Sequence, residues 1–227
     1  MILKKWDSLP DCLRIEEVRP YYDILKRHTF SLILKRCFDI IMSLLLLILL
    51  SPVFLTLAIW IKIDSPGPVF FKQTRITQYG REFKIIKFRT MVNDAESKGS
   101  SVTVLEDARI TDVGKKIRHV RLDEIPQLVN ILLGDMTFVG TRPEVPKYVA
   151  SYTKDMMATL LLPAGVTSEA SIEYRDEDDL ISDAKNPDET YVKVVLPQKM
   201  NYNLDYIRFF SLKQEIKTLA RTVKTVF

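Results

Sequence analysis

The chain has 227 residues, with 33 Lys and Arg against 29 Asp and Glu, a net charge of +4 and 47% hydrophobic residues. That length buries a core without disulfide support. The mild positive balance, with no dense Lys/Arg block and no recognition module, excludes nucleic acid as the partner. Cys12 and Cys37 lack metal-ligand spacing and read as free thiols of a reducing compartment, and the distant pair His28 and His119 excludes a His-rich metal centre.

Residues 1–32 read as a polar N-terminal extension broken by Pro10 and Pro20, in which Tyr21, Tyr22, Ile24 and Leu25 make a patch for packing. The apolar run starts near Ile40, too late for a secretory signal. From Ile40 to Ile61 no charged residue occurs, and the run is long enough to cross a bilayer. Ser51-Pro52 falls in its middle, where proline removes a backbone donor and bends a helix. Basic residues flank both sides, Lys26, Arg27, Lys35 and Arg36 before it and Lys62, Lys72, Arg75 and Arg81 after it, which favours both ends on the cytoplasmic side. Each arm, of about twelve residues, reaches ~18 Å, short of the ~30 Å hydrocarbon core. Residues 33–63 are therefore expected to form a re-entrant helix-break-helix, with a kinked spanning helix as the competing reading.

Residues 64–227 are expected to form the catalytic domain. Asp64-Ser-Pro-Gly-Pro68 is a turn, and Val69–Arg75 and Phe83–Thr90 read as two strands joined through Gln78-Tyr79-Gly80. Alternation puts Phe83, Ile85, Lys87 and Arg89 on one face, as for a partly covered anion site or a solvated edge. Met91–Gly99 looks helical, and Lys115–Arg118 is a short basic helix. Asp123 and Glu124 then precede an apolar run, Ile125–Leu133, with Pro126 in its first turn and Gly134 just past its end. Carboxylates at a helix start are favoured in their ionised form. Standing among Arg118, Arg121 and Arg142, they suit a site for a divalent cation and phosphate oxygens; complementing the helix dipole is the plainer reading.

Near the end, Glu173 and Asp176–Asp179 make an acidic run that reads as solvated surface. In the last stretch, from Ser211, Leu212, Ile216, Leu219 and Val223 share one helical face, with Lys213, Lys217, Arg221 and Lys224 elsewhere. This C-terminal amphipathic helix either lies on the bilayer or packs on the domain.

Several motifs occur in a fixed order: Lys35-Arg36-x-Phe-Asp39, the Ser-Pro break, Asp64-Ser-Pro-Gly-Pro-Val-Phe-Phe71, Lys87-Phe-Arg-Thr-Met91, Leu122-Asp-Glu-x-Pro-Gln-Leu128, Gly134-Asp-Met-x-Phe-Val-Gly140 and Arg142-Pro-Glu144. Together they resemble the bacterial sugar transferase family of monotopic polyprenyl-phosphate phosphoglycosyl transferases, over about residues 33–168 and more loosely beyond. The resemblance implies an α+β fold: a mostly helical monotopic membrane enzyme with a re-entrant hairpin and a small β-hairpin, on the cytoplasmic face of a bacterial inner membrane. It implies transfer of a sugar-1-phosphate from a UDP-sugar to undecaprenyl phosphate with release of UMP, an early step of a cell-envelope glycan pathway. By the same resemblance Asp123 is the nucleophile, Glu124 helps to hold Mg²⁺, and Lys87, Arg118 and Arg142 hold phosphate groups. Membrane lipid is the implied surroundings, and pairing into a homodimer is left open.

The chain departs from the family pattern at Thr141, where proline is usual, and at Thr77, where glycine commonly follows the Arg-Ile pair. It departs again in Pro163-Ala-Gly-Val-Thr-Ser-Glu-Ala-Ser171, a region expected to help choose the sugar. Two other readings compete: a glycosyltransferase moving the sugar alone, and a catalytically silent membrane adaptor of a polysaccharide assembly complex.

Overall fold

The structure, a computed structural model, describes residues 3–93, 107–175 and 186–226. Its order is α1 (Arg19–Arg27), α2 (Thr29–Leu49), α3 (Ser51–Asp64), β1 (Phe70–Ile76), β2 (Glu82–Phe88), α4 (Asp112–His119), α5 (Gln127–Leu133), β3 (Met136–Val139), α6 (Pro146–Val149), β4 (Ala164–Thr167), α7 (Glu169–Glu173), α8 (Pro187–Thr190), α9 (Leu196–Arg208) and α10 (Leu212–Val226). Short 3-10 and π turns link several of these. The fold is thus mostly helical with small sheets, as expected. The region expected to be a helix from Met91 instead starts with an isolated bridge between Met91 and Ile110. The rest of that expected helix, and the acidic residues 176–179, lie outside the described residues.

The apolar stretch forms two helices bent by 61° at Leu50. Pro52 is the second residue of α3, so its missing N–H leaves the Ile48 carbonyl without its helical donor. The Ser51 hydroxyl takes that carbonyl at 2.8 Å, which explains the Ser-Pro pair chemically. Among the described residues no single helix is long and apolar enough to cross a membrane. The first arm is longer than expected, because α2 starts at Thr29, well before the apolar run.

That early start changes what the basic flank does. The buried stripe of α2 is Leu32, Lys35, Asp39 and Ser43, while Ile41, Leu44, Leu45, Ile48 and Leu49 are exposed. The helix is polar toward the protein and apolar outside, the reverse of a soluble surface helix. Lys35 donates to the Val139 carbonyl at 2.8 Å and pairs with Glu215 on α10, whose other oxygen accepts from Tyr206. Asp39 accepts from Thr137 Oγ1 at 2.7 Å and from Phe138 N at 3.2 Å. Arg36 donates to the Ile131 and Leu132 carbonyls at 2.7 and 3.0 Å at the end of α5, where Ile131 also accepts from Gly134 N. These charges clamp the hairpin to the domain, so Lys35 and Arg36 do not serve as free flanking charges.

The β-hairpin pairs antiparallel, with Phe71 opposite Lys87 and Arg75 opposite Phe83. A second sheet, unforeseen in the sequence, pairs β3 and β4 in parallel, Met136 with Ala164 and Val139 with Thr167. Just beyond it, Gly140 and Gly165 cross so closely that a Cβ on Gly165 would lie 2.2 Å from the Gly140 carbonyl oxygen, so only glycine fits there. The segment before α2 joins the same core, with Leu9, Leu13, Val18, Tyr21, Tyr22 and Leu25 against Leu160, Leu161 and Ile207. The C-terminal helix turns a polar stripe to the domain and leaves part of its apolar face outside. Glu215 and Thr218 are buried, while Ile216 and Val223 are exposed.

Candidate active site

Asp123 and Glu124 lie in a 3-10 turn, Leu122–Glu124, wedged between α4 and α5. Thr111 caps α4 through a 3.0 Å bond from Gly114 N, and the chain then reverses at Arg121, whose φ of 57° is left-handed. Holding a non-glycine residue there costs about 1–3 kcal/mol, strain of the kind kept at functional sites. Pro126 and Gly134 (φ 90°) bound α5 as expected. Asn130, one turn before its end, accepts from Ile86 N at 3.0 Å and donates to the Lys84 carbonyl at 2.9 Å. That amide joins α5 to the edge of β2 and so fixes the next strand position, Lys87, over the carboxylates.

Glu124 is 9% exposed and sits among three cations. Lys87 Nζ lies 2.9 Å and Arg142 Nη2 2.6 Å from its Oε1. Arg142 Nη1 is 3.4 Å from Oε2, and Arg121 Nη1 is 3.8 Å from Oε1. Burial pushes this carboxyl up, but Arg142, Lys87 and Arg121 together outweigh burial and hold it well below the usual carboxylate range. Asp123 behaves in the opposite way. Burial, reinforced by the charge of Glu124, pushes it above its ordinary value against the pull of Lys87, Arg118 and Arg121. The expectation that a helix start favours both ionised forms therefore fails for Asp123, where burial wins. Its Oδ1 is buried with no hydrogen-bond partner. Burial also pushes the Lys87 ammonium down, opposed by Glu124 and aided by Arg142.

The structure thus brings Lys87, Glu124, Asp123 and Arg142 together. Arg118 is on α4 and acts on Asp123 only through its charge; among the described residues it forms no ion pair with either carboxylate. Arg89, expected on the anion face beside Lys87, turns away. Its guanidinium donates to the Ser65 carbonyl at 2.7 Å and the Pro66 carbonyl at 3.0 Å, tying the hairpin to the end of α3. Behind Arg142, Arg75 donates to the Pro143 carbonyl at 3.1 Å and Glu144 accepts from Tyr191 at 2.5 Å. Sequence reading placed Arg121 beside the carboxylates, where it does stand, and missed Asn130, Arg75 and Tyr191 as supports. Their partners are distant in the chain.

Residues 30–227 match the family described as bacterial sugar transferase. The chain belongs to that family. A UDP-N-acetylgalactosamine-undecaprenyl-phosphate N-acetylgalactosaminephosphotransferase of Aeromonas hydrophila is 33% identical over 85% of this chain and 43% of its own length. A UDP-glucose:undecaprenyl-phosphate glucose-1-phosphate transferase of Escherichia coli K12 is 34% identical over 84% of this chain and 39% of its own length. The chain spans about two fifths of those two proteins. It covers 88% of EpsL of Bacillus subtilis, an uncharacterized sugar transferase 31% identical over 86% of this chain.

As a member of that family, the chain accommodates its departures locally. Thr141 offers its carbonyl to Gly165 N at 2.8 Å, a bond proline would make equally, and Arg142 still reaches Glu124. Thr77 is buried, donates to the Asp135 carbonyl at 2.5 Å and accepts from Ala164 N at 3.1 Å, fastening β1 to both sides of the parallel sheet. Ser168 caps α7, and Glu169 bonds Thr218 at 2.6 Å and pairs with Arg221, so this divergent segment docks on α10.

Proposed function

We propose that this chain moves a sugar-1-phosphate from a UDP-sugar to undecaprenyl phosphate, releasing UMP, on the cytoplasmic face of a bacterial inner membrane. The observation that carries this is the pair of unlike carboxylates: Asp123 with an unpartnered buried oxygen, beside Glu124 held ionised by Lys87 and Arg142. Asp123 attacks the sugar-linked phosphorus, and the bond from that phosphorus to the bridging oxygen breaks, UMP leaving with the electron pair. An oxygen of undecaprenyl phosphate then attacks the same phosphorus. The Asp123 carboxylate departs, and a sugar diphosphate lipid remains. Lys87, Arg142 and Arg121 offset repulsion between the carboxylates and the diphosphate and stabilise charge on the transferring group.

The donor set fits Mg²⁺ of one kind only. Among the described residues no three His, Cys, Asp or Glu side chains gather to hold a metal, so a dedicated cage is excluded there. An ion held by one carboxylate together with substrate phosphates and water fits. Glu124 would be that ligand once the diphosphate draws Lys87 and Arg142 toward itself. When bound, the ion would neutralise phosphate charge as a Lewis acid.

Support for the membrane reading is the inverted burial of α2 and α10, whose exposed Ile41, Ile48, Ile216 and Val223 need an apolar neighbour. The 61° bend suits a hairpin that enters one leaflet and returns. Cys12, which is exposed, should then be labelled only from the cytoplasmic side. Labelling from the opposite side in intact cells would restore a spanning helix.

UMP release in detergent, over a panel of UDP-sugars with undecaprenyl phosphate, tests the activity. UMP should form with one or a few sugars, stop in excess chelator and return with Mg²⁺. Release of UDP would mean the sugar moves alone, and no nucleotide release with any sugar would favour an adaptor. Which sugar is carried is decided by the same panel; the names of the two relatives point to different ones.

A further inference from the structure

We infer that Gln127 is a further catalytic residue, whose side-chain amide donates a hydrogen bond to a non-bridging oxygen of the phosphorus that Asp123 attacks; this rests on the proposed transfer reaction. From Leu122 the chain winds on into α5 through the 3-10 turn and through Ile125 and Pro126, both right-handed helical. Residues three and four apart on such a winding are neighbours. Gln127 follows Glu124 by three positions and Asp123 by four, so the three residues share one side of a short segment. Gln127 also lines a cavity of about 290 Å³ together with Glu124, Arg121 and Arg142.

Gln127 is 1% exposed, and its Nε2 has no hydrogen-bond partner among the described residues; nor has Oδ1 of Asp123. A buried donor and a buried acceptor thus stand one turn apart and do not bond each other. An unmade buried hydrogen bond costs stability, and folded proteins leave few of them. The next amide along α5 gives the contrast. Asn130 is just as buried, yet it accepts from Ile86 N at 3.0 Å and donates to the Lys84 carbonyl at 2.9 Å. Asn130 serves the fold, whereas Gln127 keeps a donor that the fold does not use.

The transferring phosphorus answers that donor. When an Asp123 oxygen bonds to it, the electron pair of the bridging phosphorus–oxygen bond leaves with UMP. Charge is then spread over the non-bridging oxygens beside the carboxylate. The amide gives up no proton; its N–H stabilises that charge, as a donor in an oxyanion hole does. A phosphate oxygen suits this corner better than a sugar hydroxyl, because Arg121 and Arg142 line the same cavity. The phosphorus stays on Asp123 until the acceptor takes it, so Gln127 acts in both half-reactions.

Gln127→Met keeps the length of the side chain and removes the donor. The rate of UMP formation without lipid and the rate of transfer to lipid should both fall about 10²-fold or more. The UDP-sugar KM should stay within about threefold of the wild type's, as for a contact made in the transition state. Thermal unfolding in the same detergent should come at or above the wild-type temperature, because an apolar group replaces an unsatisfied donor. Gln127→Leu repeats the comparison, and the stabler of the two carries the test. Lower stability in both would make Gln127 a structural residue, and retention of a tenth of the activity would remove it from the chemistry. The contact itself is read with a UDP-sugar carrying sulfur in place of one non-bridging oxygen on the sugar-linked phosphorus. One diastereomer should slow the wild type and leave the variant about as fast as with the natural donor; the other should slow both alike. Equal sulfur effects on both enzymes with both diastereomers would take the amide off the phosphorus. A KM raised for one sugar of the panel alone would give the amide to the sugar instead. A wild type that releases no UMP with any UDP-sugar overturns the proposed reaction, whereas an active wild type with an equally active variant overturns this inference alone.

Discussion

Two lysine–glutamate pairs in this molecule, one buried and one half-open, look alike in a residue count and differ in kind. Around Lys35 and Glu215 every charge is answered by protein: the Val139 carbonyl takes Lys35, Tyr206 takes the second Glu215 oxygen, and Thr137 and Phe138 take Asp39. Around Lys87 and Glu124 the balance is unequal. Three cations face one ionised carboxylate, a neighbouring carboxyl is pushed up by burial, and one of its oxygens has no partner. The first cluster is closed and fastens the hairpin to the domain. The second is left open, with surplus positive charge, as a site needs when its substrate brings the missing anions. Incomplete satisfaction, more than burial or charge, separates the reactive cluster from the structural one.

The largest effect that would break this contrast lies at Asp123. Asp123→Asn should lower UMP release by ~10³-fold or more, since the amide is a poor nucleophile. Thermal unfolding in the same detergent should show no loss of stability, because burial already disfavours the ionised form that the amide removes. Retention of a tenth of the activity would remove Asp123 from the chemistry.

Next come the pairs themselves, compared by double-mutant cycles. Lys35→Met or Glu215→Met alone strands a buried charge and should cost about 3–5 kcal/mol, measured by unfolding. The double replacement should recover most of that and keep turnover per folded molecule, because the closed cluster has no partner outside the protein. The same cycle at Lys87 and Glu124 should change stability less, as Arg142 and Arg121 also face Glu124, while both singles and the double stay inactive. Equal loss of turnover in the Lys35/Glu215 double would mean that the closed cluster also serves catalysis.

What the sequence made legible follows the same division. Local chemistry was readable: Pro126 and Gly134 bound α5, Ser51-Pro52 marks the bend, and Gln78-Tyr79-Gly80 turns the hairpin. The motif residues Lys87, Glu124 and Arg142 do converge. Long-range partners were not readable. Lys35 looked like a charge flanking a membrane stretch, yet with Asp39 it lies on the inside of α2, because Glu215 and Thr137 meet them from far along the chain. For the same reason the sequence left open which way the apolar face of α10 points: Glu215 faces inward to meet Lys35, which turns Ile216 outward. The parallel β3–β4 pair was hidden because strands of four residues carry little pattern and their pairing is non-local. Arg118, given to phosphate by the family resemblance, lies on α4 and acts on Asp123 through its charge.

The central claim, that Asp123 forms a covalent bond to the phosphosugar before the lipid engages, has a direct test. Purified enzyme is incubated with a UDP-sugar labelled in its sugar, Mg²⁺ and no lipid, then quenched, digested and searched for labelled peptide. The account predicts about one UMP per active enzyme in a burst, label on the peptide that contains Asp123, and neither in Asp123→Asn. UMP that forms only when undecaprenyl phosphate is also present, with no labelled peptide, would contradict it and mean direct attack by the lipid phosphate.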